Sequence, residues 1–500
     1  MVGLHRIVAT VSIVLGCAQA AAAPSPLEPL ILPPPRPLGP AVQPYIKVSA
    51  ERIALIHVGV IDGTGSAELT DRTIVIEDGK IASISASSAG VPPGATALDL
   101  TGHTVIPGIV GMHDHLYYIA RPNVDASGHG EPPLLVPQMT FSAPRLYLAN
   151  GVTTLRTTGS VETYADINLK HSIDAGELPG PHMDVTGPYL EGANSPFIQM
   201  HRLKDAADAR KTVAFWAEQG VTSFKAYMNI TRAELKAAIE EAHRHGLKVT
   251  GHLCAVTYPE AAALGIDDLE HGFFVNTQLD PGKTPDVCPA TAGVPTLLAM
   301  DPDGAQAKDL IEDLVTHHVA VTSTLPVFEQ NVPGHAPLWP RALDVLTAQA
   351  RNDYLYLRNR TSTLPQDQAK DRIIAFQHAL ALERKFVAAG GLLLAGPDPT
   401  GNGGVIPGFG DLREIELLVE AGFTPSQAVK IATFNGASYL GLTDHIGSIT
   451  PGKNADLVVV KGDPGHAITD IENVAIVFKD GVGYDAPAIL SSVRGRYGEY

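Results

Sequence analysis

Positive charge is scarce in this chain. Its 500 residues carry 36 Lys and Arg against 53 Asp and Glu, a formal net charge of −17. Nucleic acid binding needs clustered Lys and Arg to neutralise phosphates, so that class of partner is disfavoured. A solvated acidic surface is the plain reading of such a balance. Cysteine is scarcer: Cys17, Cys254 and Cys288 are the only three. Spacing does not say whether Cys254 and Cys288 pair or remain separate thiols. The N-terminal apolar run, residues 7–16, is too short to cross a bilayer as a helix, so no membrane span is expected.

The N-terminus has features of its own. A basic start (Met1–Arg6), the apolar run and the small residues after Cys17 read as a secretory signal peptide over residues 1–23. Val14-Leu15-Gly16-Cys17 also resembles an imperfect lipoprotein box, so a lipid anchor on Cys17 is the alternative. A Pro-rich spacer over residues 24–49 follows. Export to the periplasm or beyond places the mature chain in an oxidising compartment.

Two sequence textures make up the remainder. Short β-runs separated by turns occupy residues 50–105 and 443–500, and the two segments together could form one small composite β-sandwich. Between them, over 106–442, strand-like and helical runs alternate. The strand-like runs are 104–110, 152–156, 183–187, 222–227, 248–252, 268–271, 320–325 and 392–396. The clearest helical stretches are 205–219, 231–245, 305–318 and 368–389, with Thr231 and Glu234 forming a capping box. This alternation predicts an α/β fold, a (β/α)8 TIM barrel. Residues 326–365 break the rhythm and read as an insertion that shapes the active site.

The chemistry concentrates at predicted strand ends, where barrel enzymes place their catalytic groups. His113 and His115 flank Asp114. Side chains at i and i+2 of a strand share a face, so both imidazoles can reach one metal ion while Asp114 points away. Lys225, His252, His271 and Asp398 end the fourth, fifth, sixth and eighth strands. His243, His245, His317 and His318 sit on helix ends and read as surface residues.

These residues, with Pro107-Gly108, Lys225-Ala226-Tyr227, Gly251-His252, Glu270-His271-Gly272, the run 432–441 and Gly447-Ser448-Ile449-Thr450-Pro451-Gly452-Lys453-Asn454-Ala455-Asp456, resemble the amidohydrolase superfamily. The likeness covers residues 50 to about 480 and extends to the exported prolidase, Xaa-dipeptidase and imidazolonepropionase-like branches. It implies two divalent metal ions, zinc being the expected one. His113, His115 and Asp398 would hold the first and His252 and His271 the second. Lys225 would carry a CO2-derived carbamate that bridges them; the other reading of Lys225 is a strand lysine paired with an acid in a mononuclear site. A hydroxide bridging ions about 3.5–4 Å apart would attack the scissile carbonyl. Asp398 would take its proton and pass it to the leaving nitrogen. Tyr227 would donate to the oxyanion or pack as a barrel-mouth aromatic. The sequence departs from the family at Arg156-Thr157-Thr158-Gly159, where Arg-Asp-x-Gly is common, and in the prolines flanking Asp398.

The resemblance therefore implies an enzyme that hydrolyses the amide or peptide C–N bond of a small molecule such as a dipeptide or N-acyl amino acid. The alternatives are a mononuclear cyclic-amide hydrolase or deaminase, a binuclear lactonase or phosphotriesterase, and a catalytically dead binding protein that has lost a ligand. Candidate substrate-binding residues are Arg156, His129, Tyr227 and His201, with Glu191, Asn194 and Arg202 beside the same predicted loops. A homo-oligomer is expected.

Overall fold

The apolar run at residues 104–110, read as one strand, is divided between two sheets. Pro107 has no N–H to donate and ends one strand, His103–Pro107. Gly108 N–H donates to Asp456 O at 2.8 Å, and the chain then starts the next strand, Ile109–Asp114. A Cβ at Gly108 would run into the side chain of Thr153, so the turn needs glycine.

The computed structural model describes residues 37–118, 136–193, 195, 197–399 and 404–499. The expected signal peptide, Cys17 and the first part of the spacer lie outside the described residues. The last part of the spacer is built into the fold, since Ile46–Val48 pairs with Val482–Asp485. Strands from both chain ends make one nine-stranded sheet. Its seam is the antiparallel pairing of Leu457–Lys461 with His103–Pro107, in register from Leu457 opposite Pro107 to Lys461 opposite His103. Ile53, Leu55, Val105, Leu457, Val459 and Phe478 pack its core. Asp78-Gly79 and Asp480-Gly481 turn two of its hairpins with consecutive positive φ values of 50° and 79°, and 52° and 78°.

The middle of the chain supplies eight parallel strands, β1 Ile109–Asp114, β2 Val152–Thr157, β3 His182–Val185, β4 Ser223–Ala226, β5 Lys248–Gly251, β6 Asp268–Glu270, β7 Ala320–Ser323 and β8 Leu393–Ala395. β1 to β3 form one parallel sheet in chain order, and β4 to β8 run in chain order within a second, seven-stranded sheet whose edge is the short parallel strands Leu190–Glu191 and His201–Arg202. A parallel bridge between Thr186 and Ser223 connects the two. β8 lies against β1, where Asp398 N–H donates to His113 O at 3.1 Å. At that contact a Cβ on Gly396 would collide with the His113 backbone.

Helices follow most strands. Asp205 caps Ala206–Glu218 by accepting from the N–H groups of Ala207 and Asp208. Thr231 and Glu234 form the expected capping box on Arg232–Arg244. The irregular stretch after β7 is helical, in three pieces: Leu325–Glu329, Pro340–Val345 and Ala348–Ser362. Cys254 and Cys288 are joined as a disulfide, with Cα atoms 4.9 Å apart. No helix among the described residues is long and apolar enough to cross a membrane.

Candidate active site

Six side chains converge at the C-terminal ends of β1, β4, β5, β6 and β8. His113 Nε2 lies 3.0 Å from Lys225 Nζ and 3.8 Å from Asp398 Oδ1. His115 Nε2 lies 3.3 Å from Asp398 Oδ1. His271 Nδ1 is 3.8 Å from Asp398 Oδ2 and 3.0 Å from Thr324 Oγ1. The His252 ring stands 4.3 Å from that of His271, centre to centre. Asp114, between the first two histidines, faces Asp411 and Tyr147 instead; burial, with the nearby Asp411 charge, pushes its carboxyl well above the usual range. His271 and Asp398 both adopt left-handed backbone, at φ 70° and 51°. Such conformations cost about 1–3 kcal/mol each and gather at functional sites.

Electrostatics prepare this cluster to bind a cation. Burial lowers the pKa of His113, His115 and His271, and brings His252 down to about 3. The imidazoles are therefore neutral and keep a lone pair for a ligand. Burial also lowers Lys225 to about 8. Asp398 goes the other way: burial opposes its charge, but His113 and His115 hold it well below the usual carboxylate range. The Nδ1 atom of His115 and the Nε2 atom of His271 are buried without a hydrogen-bond partner. Ligand atoms of His113, His115 and Asp398 all lie within 4.8 Å of one another.

Beneath the cluster lies a charged network. Glu270 Oε2 accepts from His113 Nδ1 at 2.6 Å. That bond leaves His113 Nε2 unprotonated and aimed into the site. Arg156 Nη2 donates to Asp268 Oδ2 at 2.7 Å and to Glu270 Oε1 at 2.9 Å, while its Nε donates to Met112 O at 2.8 Å. Arg156 is only 1% exposed. It is thus committed below the site and cannot clamp a substrate carboxylate, contrary to the expectation from sequence. Glu270 received no role from the sequence, although its place beside His271 was a usable signal.

The other candidate binding residues separate. His201 turns outward, its Nε2 3.1 Å from Thr212 Oγ1 and 3.4 Å from Asp208 Oδ2, so it does not face the cluster. Glu191 is buried and accepts from the N–H groups of Asn229 and Gly192 at 2.7 and 2.8 Å, a loop-holding contact. Arg202 donates to Ser195 O. His129 and Asn194 lie outside the described residues. Tyr227 does face the site, with its ring 4.9 Å from that of His252.

A small cleft of about 60 Å³ opens over the cluster. Tyr117, Val136, Val161, Tyr189, Phe197 and Met200 form one wall. The hydroxyls of Tyr117 and Tyr189 touch, and the Tyr189 and Tyr227 rings meet edge to face at 5.0 Å. None of these aromatics except Tyr227 stood out in the sequence, because a tyrosine in an apolar run looks like core.

Residues 104–483 match the model of the amidohydrolase family. The chain belongs to that family. Among curated relatives, this amidohydrolase is 24% identical over 433 residues to an enamidase of Eubacterium barkeri, covering 82% of this chain and 88% of that protein. A Xaa-Pro dipeptidase structure with methionine bound in its active site superposes with a TM-score of 0.64 at 20% identity, over 87% of this chain and all (100%) of that one. A bottromycin amidohydrolase structure gives 0.64 at 20% identity, over 92% of this chain and 94% of that one. At these identities the structures establish the shared fold, and the amidohydrolase site above carries the chemistry.

Proposed function

We propose that this amidohydrolase is a metal-dependent hydrolase that cleaves the amide C–N bond of a small substrate, with its eight parallel strands closed as a barrel around the site. The observation that carries the reading is the convergence of four imidazoles, a buried lysine and an aspartate on one point.

The residues fit divalent cations. His113, His115 and Asp398 would hold one and His252 and His271 a second. Lys225 fits a carbamate: it is 1% exposed, and no carboxylate among the described residues lies within ion-pair distance of it. A buried ammonium whose near partner is the neutral His113 imidazole and not a carboxylate is costly, and addition of CO2 turns it into an anionic oxygen ligand. A bound divalent cation supplies acidification of water and polarisation of a carbonyl oxygen.

The chain's own groups then handle the proton. Asp398, kept as a carboxylate, accepts it as water adds to the carbonyl carbon. Asp398 returns it to the nitrogen as the C–N bond breaks, a role worth about 10²–10⁴-fold in rate. Tyr227, whose hydroxyl burial keeps protonated, would donate to the carbonyl oxygen as charge develops there.

A single-ion reading, as in cyclic-amide hydrolases and deaminases, is favoured by one observation: of the histidines and aspartate of this cluster, His113, His115 and Asp398 bring ligand atoms within 4.8 Å of one another, and His252 and His271 are not part of that group. Metal content per chain separates the two, two ions with a carbamylated Lys225 against one ion with a free amine. A screen of metal-reconstituted enzyme against dipeptides, N-acyl amino acids, lactones and phosphotriesters tests the reaction. Turnover of lactones or phosphotriesters with no amide cleaved would reject the proposal. The same reading keeps the chain exported, as a periplasmic, secreted or lipid-anchored protein. The Cys254–Cys288 disulfide supports an oxidising compartment.

A further inference from the structure

The wall of the cleft points to the substrate class. Its described lining offers aromatic and aliphatic faces from Val136, Val161, Phe197 and Met200 and three phenols, Tyr117, Tyr189 and Tyr227. The Tyr117 and Tyr189 hydroxyls touch, and the Tyr189 and Tyr227 rings meet edge to face at 5.0 Å. Among the described lining residues Lys225 is the only Lys or Arg, and it sits inside the ligand cluster, 3.0 Å from His113. Arg156 is spent on Asp268 and Glu270 below the floor. The acidic side chain on the cleft is Asp398.

We infer that the amidohydrolase takes uncharged amides with an apolar or aromatic group beside the scissile bond, that group lying against the wall of Tyr117, Val161, Tyr189, Phe197 and Met200. The inference rests on the amide-hydrolase reading and narrows it. A dipeptide or N-acyl amino acid would bring a carboxylate. Against this wall the carboxylate would lose water and meet no Lys or Arg among the described lining residues other than Lys225 in the ligand cluster, a desolvation cost of several kcal/mol. An aromatic ring would instead bury apolar area and meet Tyr189 and Phe197 edge to face or offset-stacked.

The test uses matched neutral and charged ligands on the full-length, metal-loaded enzyme. Phenylacetamide is compared with its para-carboxylated twin, by kcat/KM and by binding measured calorimetrically. The neutral amide should lead by about tenfold or more in both. A Phe197→Lys variant, which places an ammonium on the wall, should narrow or reverse that ratio. Equal or tighter binding of the carboxylated twin by the unmodified enzyme overturns the inference. So does a ratio that Phe197→Lys leaves unmoved while the variant stays folded. If neither amide is hydrolysed, the proposed reaction fails, while the binding ratio still decides the substrate class.

Discussion

Glu270 Oε2 sits 2.6 Å from His113 Nδ1, and both side chains are wholly buried. This pair sets the tautomer of the first predicted ligand. Glu270 is in turn held by Arg156. The site thus rests on a chain of contacts running from β2 through β6 to β1.

Glu270→Gln keeps the shape and removes the charge. His113 becomes a weaker donor to metal, and its orientation is less fixed. Metal affinity should fall about 10–100-fold. Competition with a chromophoric chelator measures it; unchanged affinity would show that Glu270 does not support the ligand.

Arg156→Met leaves Asp268 and Glu270 as two buried acids with no cation. Asp268 is already pushed up to about 6 by burial and by Glu270, even with Arg156 present. The loss should be about 3–5 kcal/mol in denaturant titration at neutral pH. It should shrink at low pH, where Asp268 is protonated in the folded and unfolded chain alike. Arg156→Lys should not restore stability, because a compact ammonium lacks the planar fork by which Arg156 reaches the Met112 carbonyl from Nε and both carboxylates from Nη2.

Burial raises the Glu383 carboxyl from its ordinary 4.5 to about 8, with Ser323 Oγ donating to it at 2.8 Å. Between those values the folded chain keeps a proton that the unfolded chain has released. Stability therefore falls as pH rises from 4.5 toward 8, and this cost is absent below 4.5. Glu383→Gln removes the titration, so the variant should lose less stability than the parent on going from pH 5 to pH 8. Parallel pH curves for the two, from melts across that range, would place the titrating group elsewhere.

The Cys254–Cys288 bridge spans 34 positions of sequence. Closing a loop of that size should stabilise the fold by about 3–4 kcal/mol through the unfolded chain. Cys288→Ser, or reduction of the parent, should lower the denaturation midpoint by a matching amount. An equal midpoint with and without reductant would mean that the bridge is not formed in solution.

Much of this was readable along the chain because the signals are local. Thr231 and Glu234 cap one helix from three residues apart, and Asp78-Gly79 turns a hairpin on its own backbone. The i, i+2 spacing puts His113 and His115 on one face whatever surrounds them. Other features resisted because their cause is distant in sequence. Residues 104–110 look like one strand, and only Asp456 and Thr153, packed at Gly108, divide it. Arg156 looks like a surface or substrate-clamping arginine until Asp268 and Glu270, more than a hundred positions away, are folded onto it.

The sequence by itself determined the alternation of strands and helices, the caps and turns, and the placement of ligand-type residues at strand ends. Each follows from backbone preference or periodicity within a few residues. The tertiary structure alone decided which of the 19 histidines share a point, that Glu270 rather than a solvent molecule orients His113, and that the cleft wall is aromatic and free of cations among its described residues. Those are matters of burial and distance between strands, and no local rule of the chain carries them.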